Sequence, residues 1–138
     1  MLRDAVEWMP VDRLIIEPPP ELSAWCVHRH IYHLVYHEKG KGIPRLRNIL
    51  TPDANNSVLN EESWDKDVSV DFLLDQHQLQ RQGLVVWLKE CTYADWSKEI
   101  VEHRYGATSF FWYAQKIHQH ALEHISVIQK LALFWDNY

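Results

Sequence analysis

Seven of the nine histidines fall in two short windows, His28, His30, His33 and His37, then His118, His120 and His124. Both windows read as helices. His120 and His124 are four residues apart and therefore stack on one helical face. A third imidazole from another helix completes a three-nitrogen metal site with coordination positions left open. Such a site suits chemistry at a metal better than a purely structural role.

The apolar patterning tests which histidines face inward. On the last helix, His124 lies within the stripe Phe110, Ala114, Ile117, Ala121, His124, Ile128, Leu131 and Trp135, and His120 borders it. An unpaired buried imidazole costs roughly 1–3 kcal/mol, so each must find a partner. A metal is one partner; a carbonyl, a Tyr hydroxyl or a carboxylate is the ordinary alternative. His33 faces inward between two apolar stripes of the earlier helix and is the favoured third ligand. His30 and His37 share its face, and spacing does not choose among the three. His77 is a further candidate, whose simpler reading is a core-edge histidine bonded to a neighbour. Cys26 lies on the same line as a possible soft ligand. His28 and His118 point elsewhere and read as solvated, and His103 falls in a loop. His37-Glu38 is not continued as H-E-x-x-H, which excludes a zincin. There is also no nucleophile elbow, P-loop or G-x-G-x-x-G.

The elements that must position these residues follow from the punctuation. Leu2 to Trp8 reads as a short first helix ended by Pro10, and Glu17-Pro18-Pro19-Pro20 as an extended entry. Ser23 reads as the N-cap of a helix from about Ala24 to Lys39. Gly40 and Gly42 loosen the chain, and Pro44 starts a fresh turn, Arg45 to Leu50. A polar loop follows from Thr51 to Asp67, with a turn at Glu61-Glu62-Ser63-Trp64. Val68 to Glu90 reads as a long helix whose stripe, Val70, Leu74, His77, Leu84 and Leu88, has Arg81 as its one polar break. Tyr93 to Trp96 is a short turn, followed by a loop to Gly106. Thr108 then caps the last helix, which runs to about Trp135. The sum is an all-α, up-down bundle of about four helices in one domain, residues 1–138.

Bulk properties narrow the class. The chain of 138 residues is 46% hydrophobic, enough for a core. Its net charge of −5 argues against nucleic acid. Cys26 and Cys91 stand in no ligand-spacing motif and read as reduced thiols. No apolar run approaches the roughly 20 residues that span a bilayer, and the N-terminal segment lacks a signal-peptide core. The expectation is a cytoplasmic protein with no membrane association.

The segment Trp25-Cys26-Val27-His28-Arg29-His30-Ile31-Tyr32-His33-Leu34, with Glu38 following, resembles the second-helix motif of the DinB-like superfamily, W-S-x-R-E-x-L-x-H-L with a later acidic residue. Ile43-Pro44-Arg45-Leu46-Arg47 is similar to the continuation in one branch. Tyr105-Gly106-Ala107-Thr108, then His120-Ala121-Leu122-Glu123-His124-Ile125, resembles the last-helix motif Y-G-x-x-T, then H-x-x-x-H-[LI]. Glu61-Glu62-Ser63-Trp64 is similar in style. The resemblance runs from about Glu17 onward. It departs at Cys26, His28 and His30, and in the short first helix.

This resemblance implies a four-helix bundle holding a divalent metal on His33, His120 and His124, with zinc or nickel favoured and iron possible. It implies a homodimer, and the departure in the short first helix, which would expose part of the bundle, suggests a face for a partner subunit to cover. It also implies a transferase or isomerase reaction using a low-molecular-weight thiol such as bacillithiol or mycothiol, with metal-assisted hydrolysis as the near variant. His37 or Glu38 is the candidate base or supporting partner. The rival reading is a non-catalytic dimeric bundle, a binding or stress-response module with a structural or vestigial metal site. A third is metal-free ligand binding among Trp25, Tyr32, Phe111 and Trp112.

Overall fold

A computed structural model describes residues 2–52, 63–102 and 105–137. The chain is mostly helical. Helix α1 spans Leu2–Glu7, α2 Val27–His37, α3 Ile43–Leu50, α4 Val70–Glu90, α5 Tyr93–Trp96 and α6 Phe110–Phe134. No described helix is long and apolar enough to cross a membrane. Of the expected turn at Glu61-Glu62-Ser63-Trp64, Glu61 and Glu62 lie outside the described residues, and Ser63 and Trp64 belong to no helix or strand.

Caps set the ends of the long helices. Ser69 Oγ accepts the Phe72 N–H at 3.1 Å and opens α4. Ser109 Oγ does the same for the Trp112 N–H at 3.1 Å and opens α6. Each satisfies a first-turn donor that has no partner within its helix. The cap of α6 is therefore Ser109, and Thr108 is a strand residue.

The expected loop before Gly106 is instead a hairpin. Strand β1, Glu99–Glu102, pairs antiparallel with β2, Gly106–Ser109, in the register Ile100 to Thr108 and Val101 to Ala107. Four residues are too short to display a period-two pattern, so the sequence carried little strand signal. Gly106 sits at φ 71°, a left-handed conformation that favours glycine, where the chain enters the second strand.

Two compact units emerge from the packing. The first comprises Met1–Val35, Ser63–His77 and His120–Tyr138, and the second Tyr36–Glu62 and Gln78–Gln119. In the first unit, Val27, Ile31, Leu34 and Val35 of α2 are buried, as are Leu73 of α4 and Ala121, Ile125, Ile128 and Leu131 of α6. The spacings of three and four mark the inward faces of α2 and α6. In the second unit, Leu46, Ile49, Leu84, Phe110 and Ile117 form the core. Trp87 and Trp96 meet the Phe110 ring edge-on, with centroids at 5.7 and 5.2 Å.

The glycine-bearing stretch after α2 does not break the helical path. Glu38–Gly42 forms a π-helical turn, closed by the Ile43 N–H donating to the Glu38 carbonyl. Glu38 itself is 1% exposed, and Arg81 reaches it through both Nε, at 3.1 Å, and a terminal nitrogen. The same guanidinium donates to the Ile117 carbonyl at 3.2 Å. Gly42 faces the Ile117 side chain, and a Cβ there would stand in contact with it, 3.4 Å from Cγ1. The polar break at Arg81 is thus the counter-charge of a buried carboxylate. This engagement gives the buried Glu38 carboxylate a charged partner.

Candidate metal centre

His33 from α2 and His120 and His124 from α6 bring three ring nitrogens together, all within 4.8 Å of one another. The Nε2 atoms of His33 and His124 each lie 3.2 Å from Nε2 of His120. Two nitrogens bound at about 2.0–2.1 Å in a tetrahedral site stand about 3.3 Å apart, so the spacing suits a shared cation. The donor set fits as well. Hydrogen bonds alone require one of two facing nitrogens to carry a proton, and Nε2 of His120 faces two others at once. A cation accepts all three lone pairs. Among the described residues no fourth His, Cys, Asp or Glu joins the group.

Helix geometry explains how the sequence builds this arrangement. The i, i+4 spacing superposes His120 and His124, whose ring centroids are 4.7 Å apart. His33 precedes the buried Leu34 and Val35 on α2 and reaches both rings, with centroids 5.2 Å from His120 and 5.1 Å from His124. Trp25, just ahead of α2, packs edge-on to His33 at 5.2 Å and stacked with His124 at 6.2 Å. The Arg29 guanidinium lies 4.6 Å from the Trp25 ring centroid.

The other histidines divide differently from expectation. His30 is buried but stands outside the group of three. Its Nδ1 meets Nδ1 of His124 at 2.8 Å, and its Nε2 meets Ser23 Oγ at 2.8 Å. Ser23 is therefore bonded to this ring and to Trp25, and α2 begins only at Val27. His37 and His77 are partly buried and also outside the group. His118 is exposed, as expected. Cys26 is buried outside the group, and burial pushes its thiol pKa up, which disfavours the thiolate a metal needs.

His28 is the clear correction. It is 1% exposed, not solvated, and both ring nitrogens are bonded. The Trp64 indole N–H donates to its Nδ1 at 2.9 Å, and its Nε2–H donates to the Val68 carbonyl at 2.6 Å. Sequence position alone hid this, because the partners lie about 40 residues away. His28→Ala is expected to lose about 2–4 kcal/mol of stability in denaturant unfolding, from the cavity and the two groups left without partners.

The environment holds His30 neutral. Burial foremost, then the neighbouring His124, His33 and Arg29, lowers its pKa from 6.5 to about 4. Between those values the unfolded chain binds the extra proton and the folded one does not. This contribution to stability is complete above about pH 6.5 and disappears as pH falls toward 4. Unfolding of chelator-treated protein across that range is expected to show the loss, with a flatter profile for His30→Gln.

The four aromatic residues considered for a metal-free pocket have separate partners. Trp25 packs on the histidines, and Tyr32 stacks with His28 and donates to the Ser63 carbonyl at 3.0 Å. Phe111 meets Trp96, and Trp112 meets Tyr105 and Tyr113. No known protein-family model matches this chain, and no curated protein matches it.

Proposed function

We propose that this chain is a divalent-metal-dependent enzyme, an up-down four-helix-bundle protein of the DinB-like type. The observation that carries the reading is the convergence of the His33, His120 and His124 nitrogens, with no fourth protein ligand among the described residues. A site closed by four side chains suits a structural ion, whereas three leave room for a reactant. Three neutral imidazoles favour zinc or nickel, with iron as the further option. Such an ion supplies positive charge that acidifies a thiol or a water in its open position.

The chain's own residues then have defined tasks. His33, His120 and His124 hold the centre through their ring nitrogens. Trp25 packs against the His33 and His124 rings. The substrate reading is transfer from a low-molecular-weight thiol to an electrophile, with hydrolysis as the variant, in a homodimer. It draws support from the motifs around Trp25–Leu34 and His120–Ile125.

Elemental analysis of untagged protein, purified without a nickel column or chelator, tests the reading. About one equivalent of zinc, nickel or iron per chain is expected. No metal, together with no uptake on titration, would replace it with the non-catalytic module.

A further inference from the structure

The hydrogen bonds behind His124 have a direction, and it is set by a group that can only accept. Ser23 Oγ lies 2.9 Å from the Trp25 carbonyl, which has no proton to give. The single hydroxyl proton of Ser23 therefore points to that carbonyl, and the Ser23 oxygen is left to accept. It accepts from the Trp25 N–H at 3.1 Å and from Nε2–H of His30 at 2.8 Å. A neutral His30 protonated at Nε2 has a bare lone pair at Nδ1. That nitrogen faces Nδ1 of His124 at 2.8 Å, so the proton between them belongs to His124. His124 is then the Nδ1–H tautomer, and its Nε2 lone pair is turned toward His120, 3.2 Å away.

We infer that Ser23 and His30 are positioning residues that fix His124 in the Nδ1–H tautomer and so aim its Nε2 lone pair at the three-histidine centre before any ligand arrives. The relay is built from close contacts: His30 is buried, and its ring lies 5.1 Å from that of His124, centroid to centroid. Outer partners of ligand histidines commonly do this, fixing ring orientation and raising basicity. Here the partner is a second imidazole, itself oriented by a hydroxyl that a main-chain carbonyl orients in turn. Without the relay, His124 would be free to carry its proton on either nitrogen, and in the fraction protonated at Nε2 a cation would have to displace it.

The inference rests on the metal reading only for its second readout. The first is the tautomer of each ring in metal-free, histidine-labelled protein, read from long-range proton–nitrogen NMR correlations at neutral pH. His30 is expected as the Nε2–H form and His124 as the Nδ1–H form. Ser23→Ala, which removes the orienting hydroxyl, is expected to mix the His30 tautomers. His30→Leu is expected to mix those of His124 and to weaken zinc binding about 10- to 100-fold in competition with a chromophoric chelator. His30→Gln, whose amide oxygen can accept from Nδ1–H, is expected to hold affinity within a few-fold.

Wild-type His124 protonated at Nε2, or rings unmoved by Ser23→Ala, would overturn the inference even if zinc binds tightly. A wild-type protein that takes up no zinc overturns the metal reading alone, because the tautomers are read without metal. Should His30→Leu not fold, Ser23→Ala still decides the point.

Discussion

His120→Ala is expected to abolish stoichiometric metal binding while leaving the far-ultraviolet helical signal nearly intact. Its Nε2 is the atom that stands 3.2 Å from Nε2 of both His33 and His124. Removing it leaves two nitrogens and no third donor among the described residues. Zinc held by four protein ligands is bound by about 10–16 kcal/mol, so each contributes about 3 kcal/mol, a factor of more than 100 in affinity. The backbone has little stake in the change. His120 is only partly buried, and alanine is the best helix former. His124→Ala is expected to show the same loss. Equal metal content in wild type and both variants, by elemental analysis after gel filtration, would remove the assignment of these residues as ligands.

Arg81→Met is expected to be among the most destabilising single changes in the chain. Glu38 is 1% exposed, and Arg81 donates to both of its carboxylate oxygens. Deleting the cation leaves a buried charge without its counterpart, at a cost of about 3–5 kcal/mol. For a chain of this size that is a fall of roughly 10–20 °C in Tm. The Ile117 carbonyl loses a donor at the same time. Because the cost comes from the stranded carboxylate, the double variant Glu38→Gln/Arg81→Met is expected to recover much of the loss. A double-mutant cycle by thermal or denaturant unfolding measures that coupling. Additive losses would mean that Glu38 and Arg81 stabilise the chain independently. Metal content serves as a control, since neither residue belongs to the histidine group.

The two predictions draw on different parts of the chain, and those parts were not equally legible. His120 and His124 announced themselves because helical periodicity fixes i and i+4 on one face whatever the rest of the fold does. The apolar stripe around them said which way that face turns. His33, His30 and His37 sit on one face of their own helix, where spacing cannot separate a ligand from its neighbour. Resemblance to the DinB-like motif singled out His33, the residue whose nitrogen joins the other two.

Errors arose where a residue's partner is distant in sequence or where an element is short. His28 read as solvated because its helix position says nothing of Trp64 and Val68, which close over it. The hairpin at Glu99–Ser109 read as a loop because its strands are four residues each, held by their cross-strand ladder rather than by any pattern of their own. Gly40 and Gly42 read as loosening the chain before a fresh turn at Pro44, yet the helical path continues through a π turn. One sign of that turn was visible: a lone Arg81 in an apolar stripe must find a buried anion, and Glu38 is one.

By itself, then, the sequence determined the largely helical character, the ends marked by Pro10 and the Pro18–Pro20 run, the inward faces of the long helices and the paired histidines on α6. All of these follow from local sterics and periodicity, which act over one or two turns. Only the tertiary structure decided which nitrogen of each histidine faces which neighbour, that His30 stands behind His124 instead of beside it, and that Glu38 is neutralised by Arg81. Those outcomes depend on hydrogen-bond directions and charge pairing between residues 94 and 43 positions apart. Local spacing carries no information about such contacts.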